Sequence, residues 1–103
     1  MIRKSVFFIG SNDKETMTQE IPSDKIQDII LQTFLKKYQG FTILPCQGVY
    51  TMESGQIVIE KSFQVIVYFS NEQDDLEICE SLKKQLNQES IAVESGLADS
   101  KLI

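Results

Sequence analysis

A chain of 103 residues without a single histidine, carrying a net charge of −5, excludes a Ser/His/Asp catalytic set and a histidine-based zinc centre. Residues 1–40 hold six Lys/Arg against five Asp/Glu, while residues 41–103 hold four against ten. Nucleic acid is therefore not an expected partner, because its affinity comes largely from basic groups that displace counterions. Arg3, Lys4, Lys14, Lys36 and Lys37 could still form a local patch, and a mixed solvated surface is the plainer reading.

With 42% hydrophobic and 24% charged residues, the composition is that of a folded domain, and the length fits one domain over residues 1–103. The apolar run Val6–Ile9 is too short for a signal-peptide core, and no stretch approaches the ~20 apolar residues of a membrane span. A cytoplasmic protein with no membrane partner is expected. Cys46 and Cys79 are too few and too far apart for a disulfide framework or a metal site. Cys79 reads as a small buried side chain and Cys46 as an unactivated, exposed thiol.

Residues 4–10 are apolar on both faces and predict a strand inside a sheet. Residues 11–20 are polar and predict a loop. Pro22 and Ser23 start a helix, with Ser23 or Asp24 as its cap. Ile26, Ile29, Ile30, Phe34 and Tyr38 recur at helical spacing as its buried stripe. Lys36 and Lys37 complement its last turn, and Gly40 is expected to end it in a left-handed conformation. A second strand begins at Phe41. Pro45 and Gly48 predict a bulge over residues 45–48 and an edge position, since Pro45 cannot donate a ladder bond. The strand resumes over 49–52 and turns at Glu53-Ser54-Gly55, with Gly55 at positive φ.

Residues 56–69 alternate throughout. One face carries Ile57, Ile59, Lys61, Phe63, Val65, Val67 and Phe69; the other carries Val58, Glu60, Ser62, Gln64, Ile66 and Tyr68. At about 3.3 Å per residue such a strand would exceed ~40 Å, longer than a small domain needs. The 49–62 hairpin should therefore project beyond the helices, or the strand should kink near Lys61. A second helix starts between Asn71 and Asp75, with Glu72, Asp74, Asp75 and Glu77 favouring its positive end and Lys83 and Lys84 its negative end. Leu76, Cys79, Leu82 and Leu86 predict its core stripe. Residues 90–94 read as the last strand, and 96–103 as a tail.

This order, βαββαβ, predicts a ferredoxin-like α+β fold: a four-stranded antiparallel sheet with two helices on one face. Strands 4–10 and 62–69 should be central. The opposite face carries Val58, Ile66 and Tyr68 among polar residues. An exposed sheet face of that kind either contacts a second copy or stays half-solvated, and a homo-oligomer is expected here.

Three hairpin segments carry a resemblance: Gly40-Phe-Thr-Ile-Leu, Gly48-Val-Tyr50, and Gly55-Gln-Ile-Val-Ile-Glu60-Lys-Ser62. With the earlier Phe7-Phe8-Ile9-Gly10, they resemble a bacterial family of small ferredoxin-like domains of unknown function. The chain departs from that pattern in having Tyr50 in place of Trp, Gln47 before rather than after Gly48, and one residue inserted before Gly10. The family likeness implies the fold and no activity. The layout is also similar to that of PII-like signalling proteins, which implies subunit clefts that hold nucleotide-type ligands.

Glu60 and Ser62 are polar positions between apolar neighbours. A carboxylate buried there could act as a base, or it could be a solvated or ion-paired side chain on the hairpin. Tyr50 could stack on a ligand ring or pack across the strand pair. Ser11, Asn12 and Asp13 follow a strand and could offer backbone N–H groups to an anion, or form a plain polar turn. No glycine-rich phosphate loop, calcium loop, cofactor motif or metal set is recognisable. The leading expectation is a non-catalytic oligomer holding a small, nucleotide-like ligand between subunits, with Tyr50, Glu60, Ser62 and Asn12 at the site. The alternatives are a phage or mobile-element protein that inhibits or sequesters a host defence component, and a small enzyme using Glu60.

Overall fold

Alternating apolar residues build the sheet, and two amphipathic helices cover one of its faces. The computed structural model describes all 103 residues. They form β1 (Ile2–Gly10), α1 (Ser23–Leu35), β2 (Thr42–Thr51), β3 (Ile57–Tyr68), α2 (Glu72–Gln85) and β4 (Ala92–Ala98). The sheet order is β2-β3-β1-β4 with every neighbour antiparallel. This is the expected ferredoxin-like layout, with the two most apolar strands at its centre. No helix is long and apolar enough to cross a membrane.

The core lies between the sheet and the helices. Phe7 and Ile9 of β1 and Phe63, Val65 and Val67 of β3 meet Ile26, Ile30 and Phe34 of α1 and Ile78 and Leu82 of α2. The Phe34 ring stands edge-on to Phe7 at 4.9 Å and lies 5.4 Å from Phe41. The β1–β3 ladder stops at Gly10↔Ser62. Residues 57–61 therefore pair only with β2, and the hairpin projects as a two-stranded ribbon. The longest dimension of the molecule is 45 Å.

Several local expectations are corrected. The β2–β3 register runs unbroken from Thr42↔Ile66 to Thr51↔Ile57, so residues 45–48 form no bulge. An edge strand turns alternate N–H groups to solvent, which lets Pro45 sit in a regular ladder. Of the two ways expected for the long strand to be accommodated, projection of the hairpin is the one found. Neither Ser23 nor Asp24 caps α1: the cap position is Pro22, Ser23 Oγ accepts from Gln19 Nε2, and Asp24 bonds its neighbour's N–H. The helix ends at Leu35, with the Lys37 and Tyr38 N–H groups closing on the Phe34 carbonyl, before Gly40 is reached. Gly40 is not at positive φ, whereas Gly55 is, at 90°. Lys37 does not complement the end of α1. It crosses to Asp74 and Glu77 on α2.

On α2 the buried row is Asp75, Ile78 and Leu82, continued by Leu86. Leu76 is exposed, and Cys79 is half-buried against the core. Burial pushes the Cys79 thiol up to about 11. β4 begins at Ala92 and extends through Gly96 and Leu97 to Ala98, which pairs with Ile2, so the start of the expected tail is sheet.

Asp75 is the one buried charge at the sheet–helix junction. Its carboxylate accepts from Arg3 Nη1 at 2.8 Å, Ser5 Oγ at 2.6 Å and the Tyr38 hydroxyl at 2.6 Å. Ser70 joins the same network through Arg3 and Ser5. Asn71, by contrast, is the true cap of α2, its side chain accepting from the Asp74 N–H at 2.8 Å.

Candidate ligand cleft at the hairpin base

β1 ends two residue pairs short of Glu60. Glu60, on the sheet face away from the helices, is therefore free to turn its side chain across Gly10. Its Oε2 accepts from the N–H of Ser11 at 3.1 Å and of Asn12 at 2.6 Å. The N–H groups that could have held an external anion are thus taken by a carboxylate of the chain itself. The third, from Asp13, bonds the Thr18 carbonyl. Gly10 makes this possible, because a Cβ there would stand 2.6–2.7 Å from the Glu60 carboxylate. Gly10→Ala should push Glu60 off both amides and cost about 1–3 kcal/mol in urea unfolding. The loss should be less than additive with that of Glu60→Ala, since both remove the same bonds. Full additivity would separate Gly10 from the Glu60 anchor.

The loop held by Glu60 is tied on its other side to the turn after α2. Gln88 Nε2 donates to the Asn12 carbonyl, and the Lys14 N–H to the Asn87 carbonyl. Asn87 Nδ2 donates to Asp13 Oδ2 at 2.9 Å. That bond, with the N–H groups of Glu15 and Thr16, holds the Asp13 carboxyl below its ordinary value of 3.8, so it is ionised at neutral pH.

Between this loop, the turn and the hairpin lies an open cleft of 330 Å³, within the size range of small-molecule sites. Asn12, Asp13, Lys14, Met17, Tyr50, Glu60, Gln88, Glu89 and Ser90 line it. Three carboxylates face one ammonium, so the cleft favours a cation. Tyr50 is exposed on β2 and supplies an aromatic surface. The Asn12 side-chain amide lines the cleft, while its backbone N–H goes to Glu60 and its carbonyl accepts from Gln88.

Tyr50, Glu60 and Asn12 thus come together, while Ser62 does not join them. Its Oγ bonds the Glu60 carbonyl at 3.3 Å and fills the space above Gly48. Sequence reasoning considered Asp13 only for its N–H group, and passed over Met17 and the whole 88–90 side. The last of these comes from a turn with no motif, brought in by the β1–β4 pairing. No cluster of histidine, cysteine and carboxylate side chains could hold a metal ion.

Comparison with solved structures gives this geometry a context. No family model and no curated protein matches the chain. A phage SAM lyase does. Its structure in complex with S-methyl-5′-thioadenosine matches at 25% identity and a TM-score of 0.65, over 92% of this chain and 80% of that one. The periplasmic divalent cation tolerance protein CutA from Archaeoglobus fulgidus matches at 16% identity and a TM-score of 0.56, over 96% and 87% of the two chains. A DUF3240 family protein from Shewanella baltica OS155 matches at 10% identity and a TM-score of 0.57, over 98% and 96%. The last two share the fold alone. They bear out the resemblance to small ferredoxin-like domains.

Proposed function

We propose that the cleft beside Tyr50 binds S-adenosylmethionine and that the chain cleaves it to S-methyl-5′-thioadenosine. The likeness to the phage lyase holding that thionucleoside, over nearly the whole chain, carries this reading. The cleft's charge supports it independently. A phosphorylated nucleotide would meet Asp13, Glu60 and Glu89, whereas a sulfonium with an ammonium group is attracted by them. The expected nucleotide-like ligand is thereby narrowed to a nucleoside without phosphate, its adenine stacked on Tyr50.

The chemistry asks little of the protein. Breaking the bond between the sulfonium and the γ-carbon leaves the electron pair on sulfur and yields a neutral thioether. The substrate's own carboxylate can bond that carbon and close a five-membered lactone, with no proton to remove. A cleft without histidine or an activated thiol suffices if it holds the reacting atoms in line. Lys14 is the only cation of the cleft, so most of its lining leaves the substrate carboxylate free. Glu60 then binds charge rather than abstracting a proton.

The openness of the cleft, which by itself does not fix the reacting atoms in line, favours a second reading, capture of the same nucleoside without turnover. Either reading fits a phage protein that acts on a host component, the component being a small molecule. The cleft is open and mostly polar, and a second copy packed on the bare sheet face would supply its missing wall. Incubation with S-adenosylmethionine and mass spectrometry of the products decides between the readings. Release of the thioadenosine means cleavage, and binding with no product means capture. Glu60→Gln should weaken S-adenosylmethionine about tenfold or more and leave the neutral thioadenosine nearly unchanged. Absence of binding to both would remove the proposal.

A further inference from the structure

Two apolar side chains stand at positive φ, Met17 at 60° and Phe69 at 58°, and both are exposed, 41% and 73%. Side chains of this size rarely adopt that backbone region, and strain of this kind collects at functional sites. Met17 is the one that borders the cleft at the hairpin base. Its backbone is held in place: the Met17 N–H donates to the Asp13 carbonyl at 2.8 Å, and the Asp13 N–H to the Thr18 carbonyl at 2.9 Å. On its other side lies a second, larger cleft of 500 Å³, walled by Met52, Ile57, Val58 and Ile59. Asn12 and Met17 are the only residues that line both clefts. Residues 57–61 pair with β2 alone, so no strand covers the edge of β3 where the two clefts meet. The Met17 side chain is thus the partition between a polar cleft and an apolar one.

We propose that Met17 sets the size of the S-alkyl group that the polar cleft accepts, restricting it to methyl. This role rests on the S-adenosylmethionine reading and deepens it. A sulfonium carries three substituents. The adenosyl group is assigned to Tyr50. The amino-acid chain, with its ammonium and carboxylate, suits Asp13, Glu89 and Lys14. The methyl group remains, and Met17 is the only apolar side chain of the cleft besides Tyr50. Its soft, polarisable thioether suits a methyl carried on a positive sulfur. The 500 Å³ beyond Met17 has room and apolar walls for a longer alkyl or a benzyl group. Asn12 is pinned by its backbone bonds to Glu60 and Gln88, so the Met17 side chain alone keeps such a group out.

Two ligands test it: S-adenosylmethionine, and its analogue with S-benzyl in place of S-methyl. The quantity read is the ratio of their dissociation constants, or of kcat/KM where the chain turns them over. The native chain should favour the methyl compound by about tenfold or more. Met17→Gly should bring the ratio to about one or reverse it. That variant should melt no lower than the native chain, because glycine relieves the positive φ. Adding Ile59→Phe to Met17→Gly fills the second cleft and should restore the preference for methyl. A general loosening of the loop would weaken both ligands alike and leave the ratio where it was. A native chain that binds neither compound would remove the nucleoside reading and this role together. If the native chain binds S-adenosylmethionine, the reading stands, and four results overturn the role of Met17 alone. These are equal affinity of the native chain for both compounds, an unchanged ratio in Met17→Gly, loss of both ligands by Met17→Gly, and a double variant that still takes the benzyl compound.

Discussion

Phe34→Ala should cost about 3–5 kcal/mol of folding stability. Phe34 is fully buried at the meeting point of α1 and the sheet, edge-on to Phe7 and in contact range of Phe41. Truncation removes the ring's transfer energy and leaves a cavity walled by β1, α1 and the start of β2. The two strands are fixed by sheet hydrogen bonds and cannot collapse inward to fill it. The lost aromatic contacts add to the penalty. Urea unfolding should show a lower midpoint at an unchanged slope, the signature of lost stability without a changed unfolded state. A loss under about 1 kcal/mol, the size of a surface change, would mean that α1 is not seated on this sheet.

Phe34 also illustrates what the sequence makes legible. Its stripe repeats at helical spacing, and the strand alternation at 62–68 repeats every second residue, so periodicity alone assigns both to the core. Periodicity fails where two phases compete. On α2, Leu76 reaches Leu82 through Cys79 and Ile78 reaches it directly, and the choice depends on the Arg3 and Tyr38 partners that draw Asp75 inward. An acid in a helix's first turn is read as serving the helix dipole. Only the tertiary structure reveals that this one is buried. Pro45 misled for a similar reason, since a missing N–H matters only when a neighbouring strand needs it. The cleft was half legible. Tyr50 and Glu60 stand out as an aromatic and a carboxylate on one hairpin face. The Glu60 anchor to Ser11 and Asn12 depends on β1 ending at Gly10, and the 88–90 wall depends on the β1–β4 register. Neither leaves a local signal. Phe69 was assigned to the core row by alternation, and the reversal of φ that expels it follows from Ser70 turning back into the Asp75 network.

Asp75→Ala should cost about 3–5 kcal/mol, the range for breaking a buried charged pair by removing one partner. The Asp75 side chain is 5% exposed and that of Arg3 27%. Three donors converge on Asp75 from β1 and the segment after α1. Alanine would take the charged acceptor from the guanidinium and from the Ser5 and Tyr38 hydroxyls, leaving Arg3, only partly open to water, with neutral hydroxyl partners alone. Asp75→Asn keeps an acceptor and should lose less. The network also has a signature in pH. Burial, and the bond that the Tyr38 hydroxyl donates to Asp75, raise the Tyr38 pKa well above its ordinary 10.0. The folded chain therefore keeps a proton that the unfolded chain has released. Its stability is fully present below pH 10 and falls as pH rises beyond it. Tyr38→Phe cannot titrate and should lose that part of the alkaline slope, while the lysines contribute equally to both proteins. Unfolding curves for the two, taken at neutral pH and again above pH 10, make the comparison. Equal slopes would mean that the Tyr38 proton is not held by this network. The cost of Asp75→Ala would then have to come from the unpaired arginine alone.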